Sequence, residues 1–351
     1  MKINIASLNV CTFHPVPFDV PFPEPVEPPD RKDEQSFNEY IWQKFEEKKI
    51  ILTDGLSAAL DKNKRTDAEC LFFTLPEFFW NISPYAVWHE EELAVLADFH
   101  NYEIKSYLQS FIKKFPESEF GKIILLPGTA GSLHKVMSDN VNASTYTAYN
   151  CIFCVNNFSN PEEQVSVSVW PKTNLAGYDY GYSMEAGDPV RFKVGKPGKT
   201  FIVDVKAKSA SKASHENPHD SVFYNDILSN VPFMISLCAD YHEAVDFRMN
   251  EWLNPAPKIH FLLACAMTLN QHKRYPLSVQ YSYRNDGFAV GNIWQPIKGM
   301  SELKRVEDGV IVDAVSKPVN ITDCISDDDY FMLKKKAADE NLLSFYTIEV
   351  N

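Results

Sequence analysis

What most constrains the folding of this chain is a series of short apolar runs, each closed at once by proline, glycine or a polar turn. Leu71-Phe72-Phe73-Thr74-Leu75, Ile123-Ile124-Leu125-Leu126, Phe233-Met234-Ile235-Ser236-Leu237 and His260–Ala264 are of this kind. Runs so short and so continuously apolar suit strands buried on both faces better than helices. Longer stretches of mixed character separate them. Asp33–Lys62 spaces Phe37, Ile41, Phe45, Ile50 and Leu52 among charges, and Trp88–Phe115 starts with Glu90, Glu91 and Glu92 where a helix N-terminus favours acids. Strands alternating with helices predict an α/β fold whose sheets are covered by helices. Further strands are expected at Lys122–Gly128, Tyr146–Val155, Gln164–Trp170, Thr200–Val205, Phe288–Asn292, Val310–Asp313 and Phe345–Val350, with helices at Glu243–Trp252 and Asp327–Asn341. No segment repeats and no internal linker divides the chain, so residues 1–351 are read as a single domain. Two stretches stand out as insertions, a proline-rich arm near 13–30 and a Lys-, Ser- and His-rich loop at 206–221.

Charge narrows the partners. Lys and Arg number 34 against 47 Asp and Glu, a net charge of −13. Such a chain repels phosphate backbones, so nucleic acid is not an expected partner. The opening Met1–Val10 alternates like a strand and lacks the apolar core of a secretion signal, and no run is long enough to span a membrane. The seven cysteines are scattered, unlike the framework of a small secreted domain. A cytoplasmic setting is expected, without membrane association.

Three of the runs end on a reactive side chain. Leu75-Pro76-Glu77 carries a carboxylate, Trp170-Pro171-Lys172 an ammonium, and Leu237-Cys238 a thiol. Taken singly, each has an ordinary explanation: a capping carboxylate, a solvated lysine, a small buried cysteine. Together they supply a base, an ammonium and a nucleophile. A carboxylate among Leu75, Phe78, Phe79 and Trp80 suits proton abstraction, and a thiol at a strand-to-helix turn is favoured as thiolate. An inward ammonium stabilises charge developing on a substrate atom.

In that order, Glu then Lys then Cys, the chain resembles the nitrilase (carbon–nitrogen hydrolase) superfamily. Leu75-Pro76-Glu77-Phe78-Phe79 is similar to the family's general-base segment, Trp170-Pro171-Lys172-Thr173-Asn174-Leu175 to its lysine segment, and Leu237-Cys238-Ala239-Asp240 to its nucleophile segment. Arg248, the opening strand, Leu126-Pro127-Gly128, the Tyr149-Asn150 strand and Asn285–Asn292 also fit. Asn174 departs from the family's His, and the stretch between Lys172 and Cys238 is longer than the pattern implies, with 206–221 a source of the surplus. The resemblance implies a four-layer α-β-β-α sandwich and a homodimer or higher homo-oligomer. It also implies hydrolysis of a small-molecule amide or nitrile through a Cys238 thioester, with Glu77 as base and Lys172 as oxyanion stabiliser. Glu185 is the candidate second glutamate; the Ala239 backbone N–H, Trp80 and Tyr178 are candidates for substrate contact, with Tyr85 and Tyr180 as further pocket residues. An amine acyltransferase on the same fold and a ligand-binding pseudoenzyme are the alternatives. Cys151 and Cys154 have CxxC spacing but should point to opposite faces of a strand, and His215 and His219 lack accompanying ligands. His242, four residues beyond Cys238, suggests a Cys-His protease pair, but that spacing is sequential and does not establish contact.

Overall fold

The computed structural model describes residues 1–10, 12, 31–82, 86–135, 146–158, 167–174, 190–196, 199–205, 223–243, 255–265, 267–287, 300–314, 319–320 and 343–351. The strands are β1 Lys2–Leu8, β2 Cys70–Leu75, β3 Lys122–Pro127, β4 Thr129–Lys135, β5 Tyr146–Asn156, β6 Ser168–Pro171, β7 Val190–Lys196, β8 Lys199–Val205, β9 Phe223–Asn225, β10 Phe233–Leu237, β11 Ile259–Ala264, β12 Tyr281–Asp286, β13 Met300–Glu307, β14 Val310–Ala314, β15 Val319–Asn320 and β16 Leu343–Glu349. Helices are α1 Phe37–Asn63, α2 Glu92–Asp98, α3 Ile104–Ile112, α4 Glu117–Phe120 and α5 Ala239–Glu243. The strands form two sheets. One is ordered β15-β16-β1-β2-β3-β5-β8-β7, with β4 and β6 also on β5; the other is β14-β13-β12-β11-β10-β9. At the heart of each, three consecutive strands run parallel: β1-β2-β3 and β10-β11-β12.

Side-chain alternation explains the layering. On β1, β2 and β3, residues Ala6, Leu8, Leu71, Phe73, Leu75, Ile123 and Leu125 face the helices. Their neighbours Ile3, Ile5, Phe72, Ile124 and Leu126 meet Phe233, Ile235, Leu237, Phe261 and Leu263 of the second sheet. A strand with apolar groups on both faces has to be sandwiched, which is why these runs are continuously apolar. Phe72 locks the two sheets, its ring 5.1 Å from Phe233 and 5.0 Å from Phe261. The described residues therefore give a mixed α/β arrangement of helices, sheet and sheet. The outer face of the second sheet is covered by Tyr241, Tyr275 and Val279.

Local sequence sets the helix ends. Ser36 caps α1 in a capping box, its hydroxyl accepting from the Glu39 N–H while the Glu39 carboxylate accepts from the Ser36 N–H. Gly55, in the middle of α1, lets the helix lie close on β2; a Cβ there would stand 3.2 Å from the Phe73 ring. The helix expected over Trp88–Phe115 is not continuous. A π-helical turn, Phe99–Glu103, joins α2 to α3. The extra residue rotates Asn101 onto β4, where its amide donates to the Leu133 carbonyl at 2.7 Å. The expected arm at 13–30, loop at 206–221, strand Phe288–Asn292, helix Asp327–Asn341 and all but the first residue of helix Glu243–Trp252 lie outside the described residues. No helix among the described residues is long and apolar enough to cross a membrane.

Candidate functional site

The parallel strands β2 and β10 end side by side in the two facing sheets, and the chain leaves each through a turn that costs backbone strain. Among the described residues three non-glycine positions have positive φ. One is Phe78 (64°), next to Glu77, and another is Cys238 itself (36°); the third, Asp308, is in the β13–β14 turn. A left-handed bulky residue survives only where its surroundings over-determine it, and such positions gather at functional sites.

The turn after β2 is held from three sides. Phe78 N–H donates to Thr129 Oγ1 at 2.8 Å, and the Thr12 hydroxyl donates to the Glu77 carbonyl. Gly128, at φ 78°, passes so near that a Cβ there would run into the Pro76 carbonyl oxygen and stand 2.8 Å from Phe79 Cβ. Trp80, expected to contact substrate, instead packs into the helix-side core. Its ring lies 4.9 Å from Phe79, 5.9 Å from Phe45 and 6.0 Å from Tyr107, with no exposed surface. After the Phe78 turn, Phe79 and Trp80 both join the helix-side core.

Glu77 points inward and is fully buried. Its Oε1 accepts from Lys172 Nζ at 2.9 Å and from Asn150 Nδ2 at 2.8 Å, and the Lys172 side chain is likewise fully buried. Asn150, on β5, also fixes the lysine main chain: its carbonyl accepts from Lys172 N–H at 2.7 Å. The Tyr149-Asn150 strand fits the resembled pattern, but its sequence does not assign Asn150 this double role.

Cys238 starts the turn into α5. Its N–H donates to the Leu263 carbonyl at 3.1 Å, and its thiol to the Cys265 carbonyl at 3.2 Å. Ala239 is the first residue of α5, and Tyr241 N–H closes the turn on the Cys238 carbonyl at 2.9 Å. Beneath it runs a buried polar line. Tyr241 OH meets Tyr275 OH at 2.9 Å, Tyr275 OH meets Ser282 Oγ at 3.2 Å, and His260 bridges Ser282 and Ser236 at 2.9 and 3.0 Å. Burial pushes the His260 imidazole down to about 3, so it is neutral there.

Asp240 ties the thiol segment to the lysine segment. Its Oδ1 accepts from Thr173 Oγ1 at 2.6 Å, Asn174 N–H at 2.6 Å, Thr173 N–H at 3.1 Å and Asn174 Nδ2 at 3.1 Å. Burial pushes its carboxyl up to about 6, against the opposing pull of the Lys172 charge and these donors. Asn174, where the resembled pattern has His, is thus an anchor for the acid. Burial also pushes the Cys265 thiol well above its usual range, with the negative charge of Glu77 adding to the effect and the positive charge of Lys172 easing it. The Glu77 and Lys172 charges thus both reach Cys265, whose carbonyl accepts from the Cys238 thiol. Glu185, Tyr178, Tyr85, Tyr180, Arg248, His215 and His219 lie outside the described residues, and so does the His242 side chain. Cys151 and Cys154 are buried free thiols on β5, each pushed up to about 12 by burial. Among the described residues no group of three His, Cys, Asp or Glu side chains could hold a metal ion.

No family model matches the chain, and no curated protein does. The solved structures similar to it include two amidases. One is an amidase from Nesterenkonia sp., at 8% identity and TM-score 0.34 over 87% of this chain and 90% of that one. The other is a Cys→Ser mutant of the Nesterenkonia AN1 amidase from the nitrilase superfamily, at 9% identity and TM-score 0.32 over 90% and 92%. At these TM-scores neither likeness supports a conclusion about fold or chemistry.

Proposed function

We propose that this protein is a carbon–nitrogen hydrolase that cleaves a small amide, or a nitrile, through a thioester on Cys238. The observation that carries this reading is the fully buried Glu77–Lys172 pair at 2.9 Å beside a thiol held at positive φ. Burying two charges is expensive, and replacing such a pair with apolar groups is often neutral or stabilising, so a pair kept at a strained turn suits chemistry better than stability.

In the proposed cycle Glu77 takes the Cys238 proton and the thiolate attacks the carbonyl or nitrile carbon. Lys172 and the Ala239 N–H stabilise the charge that develops, each donor contributing on the order of 10²–10³ in rate. From an amide, ammonia or an amine leaves with the proton that Glu77 took from Cys238; from a nitrile, one water first adds to the thioimidate and ammonia then leaves. A water activated by Glu77 releases the acid from the thioester. Glu185 and Tyr178 belong to this reading as a second carboxylate and a substrate contact. So do the single four-layer α-β-β-α domain, the homodimer or larger assembly, the cytoplasmic setting and the absence of any cofactor requirement. The test is a hydrolysis screen over small amides, nitriles and N-carbamoyl compounds, followed by Cys238→Ala. A drop of at least about 10³-fold is expected on any confirmed substrate. Full activity in Cys238→Ala overturns the reading.

A further inference from the structure

A line of buried polar side chains crosses the outer face of the second sheet and meets the chain on both sides of Cys238. Ser236 on β10, His260 on β11 and Ser282 on β12 have no exposed surface, and Tyr275 and Tyr241 continue the line above the sheet. Ser236 Oγ lies 3.0 Å from His260 Nε2, and His260 Nδ1 lies 2.9 Å from Ser282 Oγ. The Tyr275 hydroxyl then joins Ser282 to the Tyr241 hydroxyl, at 3.2 and 2.9 Å. The Tyr241 ring also stacks on the imidazole, with centroids 5.6 Å apart, and its hydroxyl accepts from Asn270 N–H at 2.9 Å. Ser236 is two residues before Cys238 and Tyr241 three after it. The chain therefore enters and leaves the turn at the two ends of one hydrogen-bonded line.

Met234, Leu262, Val279 and Ile311 surround the line, so the two serines and the imidazole occupy an apolar layer where alanine or leucine would be easier to bury. Cys238 meanwhile is held at φ 36°, a strained conformation that persists only where its surroundings over-determine it. Apolar packing is non-directional and leaves a backbone angle free to relax. Hydrogen bonds have narrow geometry, and a satisfied buried network stiffens what it joins. A neutral imidazole donates at one nitrogen and accepts at the other, so His260 can join the serines of its two neighbouring strands without burying a charge. We infer that His260 is a positioning residue for Cys238: through Ser236 on one side, and Ser282, Tyr275 and Tyr241 on the other, it holds the strained turn that presents the thiol. In this role none of the five touches the reacting atoms; each acts through the turn.

The inference rests on the proposed function for Cys238 being the nucleophile, but half of its test needs no substrate. Ser236→Ala and Tyr241→Phe each delete one hydroxyl from an end of the line, and His260→Leu cuts it in the middle. Hydrogen–deuterium exchange of the full-length protein is read in peptides covering Leu237–Tyr241. Relative to peptides from β1, β2 and β3, exchange there should rise about three- to tenfold in each variant, the weight of one lost hydrogen bond. On a confirmed substrate kcat should fall about tenfold or more while KM stays within about twofold, because a displaced nucleophile leaves the binding contacts in place. Combining Ser236→Ala with Tyr241→Phe should be little worse than the worse single change, as for residues that act as a unit. Unchanged exchange at 237–241, a rise spread evenly over the protein, or an unaltered kcat in a variant with a loosened turn overturns the inference while the proposed function stands. Full hydrolysis by Cys238→Ala overturns the proposed function and, with it, the nucleophile that the line positions. Should His260→Leu fail to fold, the two hydroxyl deletions decide the matter alone.

Discussion

Replacing Lys172 with methionine isolates the cost of the buried pair. Methionine keeps the length of the stem and removes the charge 2.9 Å from Glu77 Oε1, where both side chains are fully buried. At that distance, and an effective dielectric constant near 20, the lost attraction is about 6 kcal/mol. The lone carboxylate keeps its bond from Asn150, so the net loss falls to the roughly 3–5 kcal/mol typical of breaking a buried pair. Protonation offers an escape, because neutralising an ordinary glutamate costs about 5 kcal/mol at pH 8 but only about 1 kcal/mol at pH 5. In the variant the folded-state pKa of Glu77 is raised above its unfolded value. The stability of such a group is complete below about pH 4 and is lost as pH rises. Lys172→Met should therefore lose about 3–5 kcal/mol in urea unfolding at pH 8 and only about 1–2 kcal/mol at pH 5. Asp240, which also feels the Lys172 charge, shifts in the same direction and does not change the sign. Adding Glu77→Gln should restore most of the loss at pH 8. Equal losses at the two pH values, or a double variant as weak as the sum of the single ones, would refute the reasoning.

Asp240 gives a second pH signature. Its folded carboxyl is raised to about 6 from an ordinary 3.8, so its stabilising contribution is complete below pH 3.8 and lost as pH rises through about 6. Relative to Asp240→Asn, wild type should lose about 3 kcal/mol between those limits in urea unfolding; a constant difference contradicts this. His260 and His100 act in the opposite sense. Both are lowered to about 3 by burial, so each contributes stability above pH 6.5 that drains at about 1.4 kcal/mol per pH unit as pH falls. Comparison with His260→Asn below pH 6.5 should show the slope reduced by about 1.4 kcal/mol per pH unit, and an unchanged slope would count against a neutral buried imidazole. Gly128→Ala puts a Cβ against the Pro76 carbonyl at positive φ and should cost about 1–3 kcal/mol by thermal unfolding, whereas Gly121→Ala, with open space around it, should cost less.

Much of the layering was legible because burial on both faces leaves a mark in the sequence. Leu71–Leu75, Phe233–Leu237 and His260–Ala264 are apolar on both faces apart from Thr74, Ser236 and His260, and each is a central parallel strand. The ends of those runs were legible too, since a polar or proline residue after an apolar run has to leave the sheet. What stayed hidden was anything decided by pairing across distance. Thr129–Lys135 is only half apolar, and it becomes a strand because β5 offers it a ladder from Ile152 to Tyr146. The π turn at Phe99–Glu103 shows only as a slip in helical spacing. Trp80 sits three residues from Glu77 yet points the other way, because one positive φ at Phe78 reverses the chain. Asn150 and Asp240 stand in segments that fit the resembled pattern, but their partners do not show in sequence, because the bonds to Glu77 and to Thr173 cross gaps of 73 and 67 residues. Periodicity carries no information about contacts that remote.

The central claim is that Cys238 carries the acyl group of a C–N substrate. Intact mass spectrometry of the protein after brief exposure to small amides, nitriles and N-carbamoyl compounds, quenched in acid, tests it most directly. The account predicts an added acyl mass that maps to the tryptic peptide Ala213–Arg248, is absent from Cys238→Ala, and accumulates further in Glu77→Gln if that variant still acylates. An adduct of the same mass on Cys238→Ala, or hydrolysis of a substrate with the acyl group carried on another residue, would contradict it.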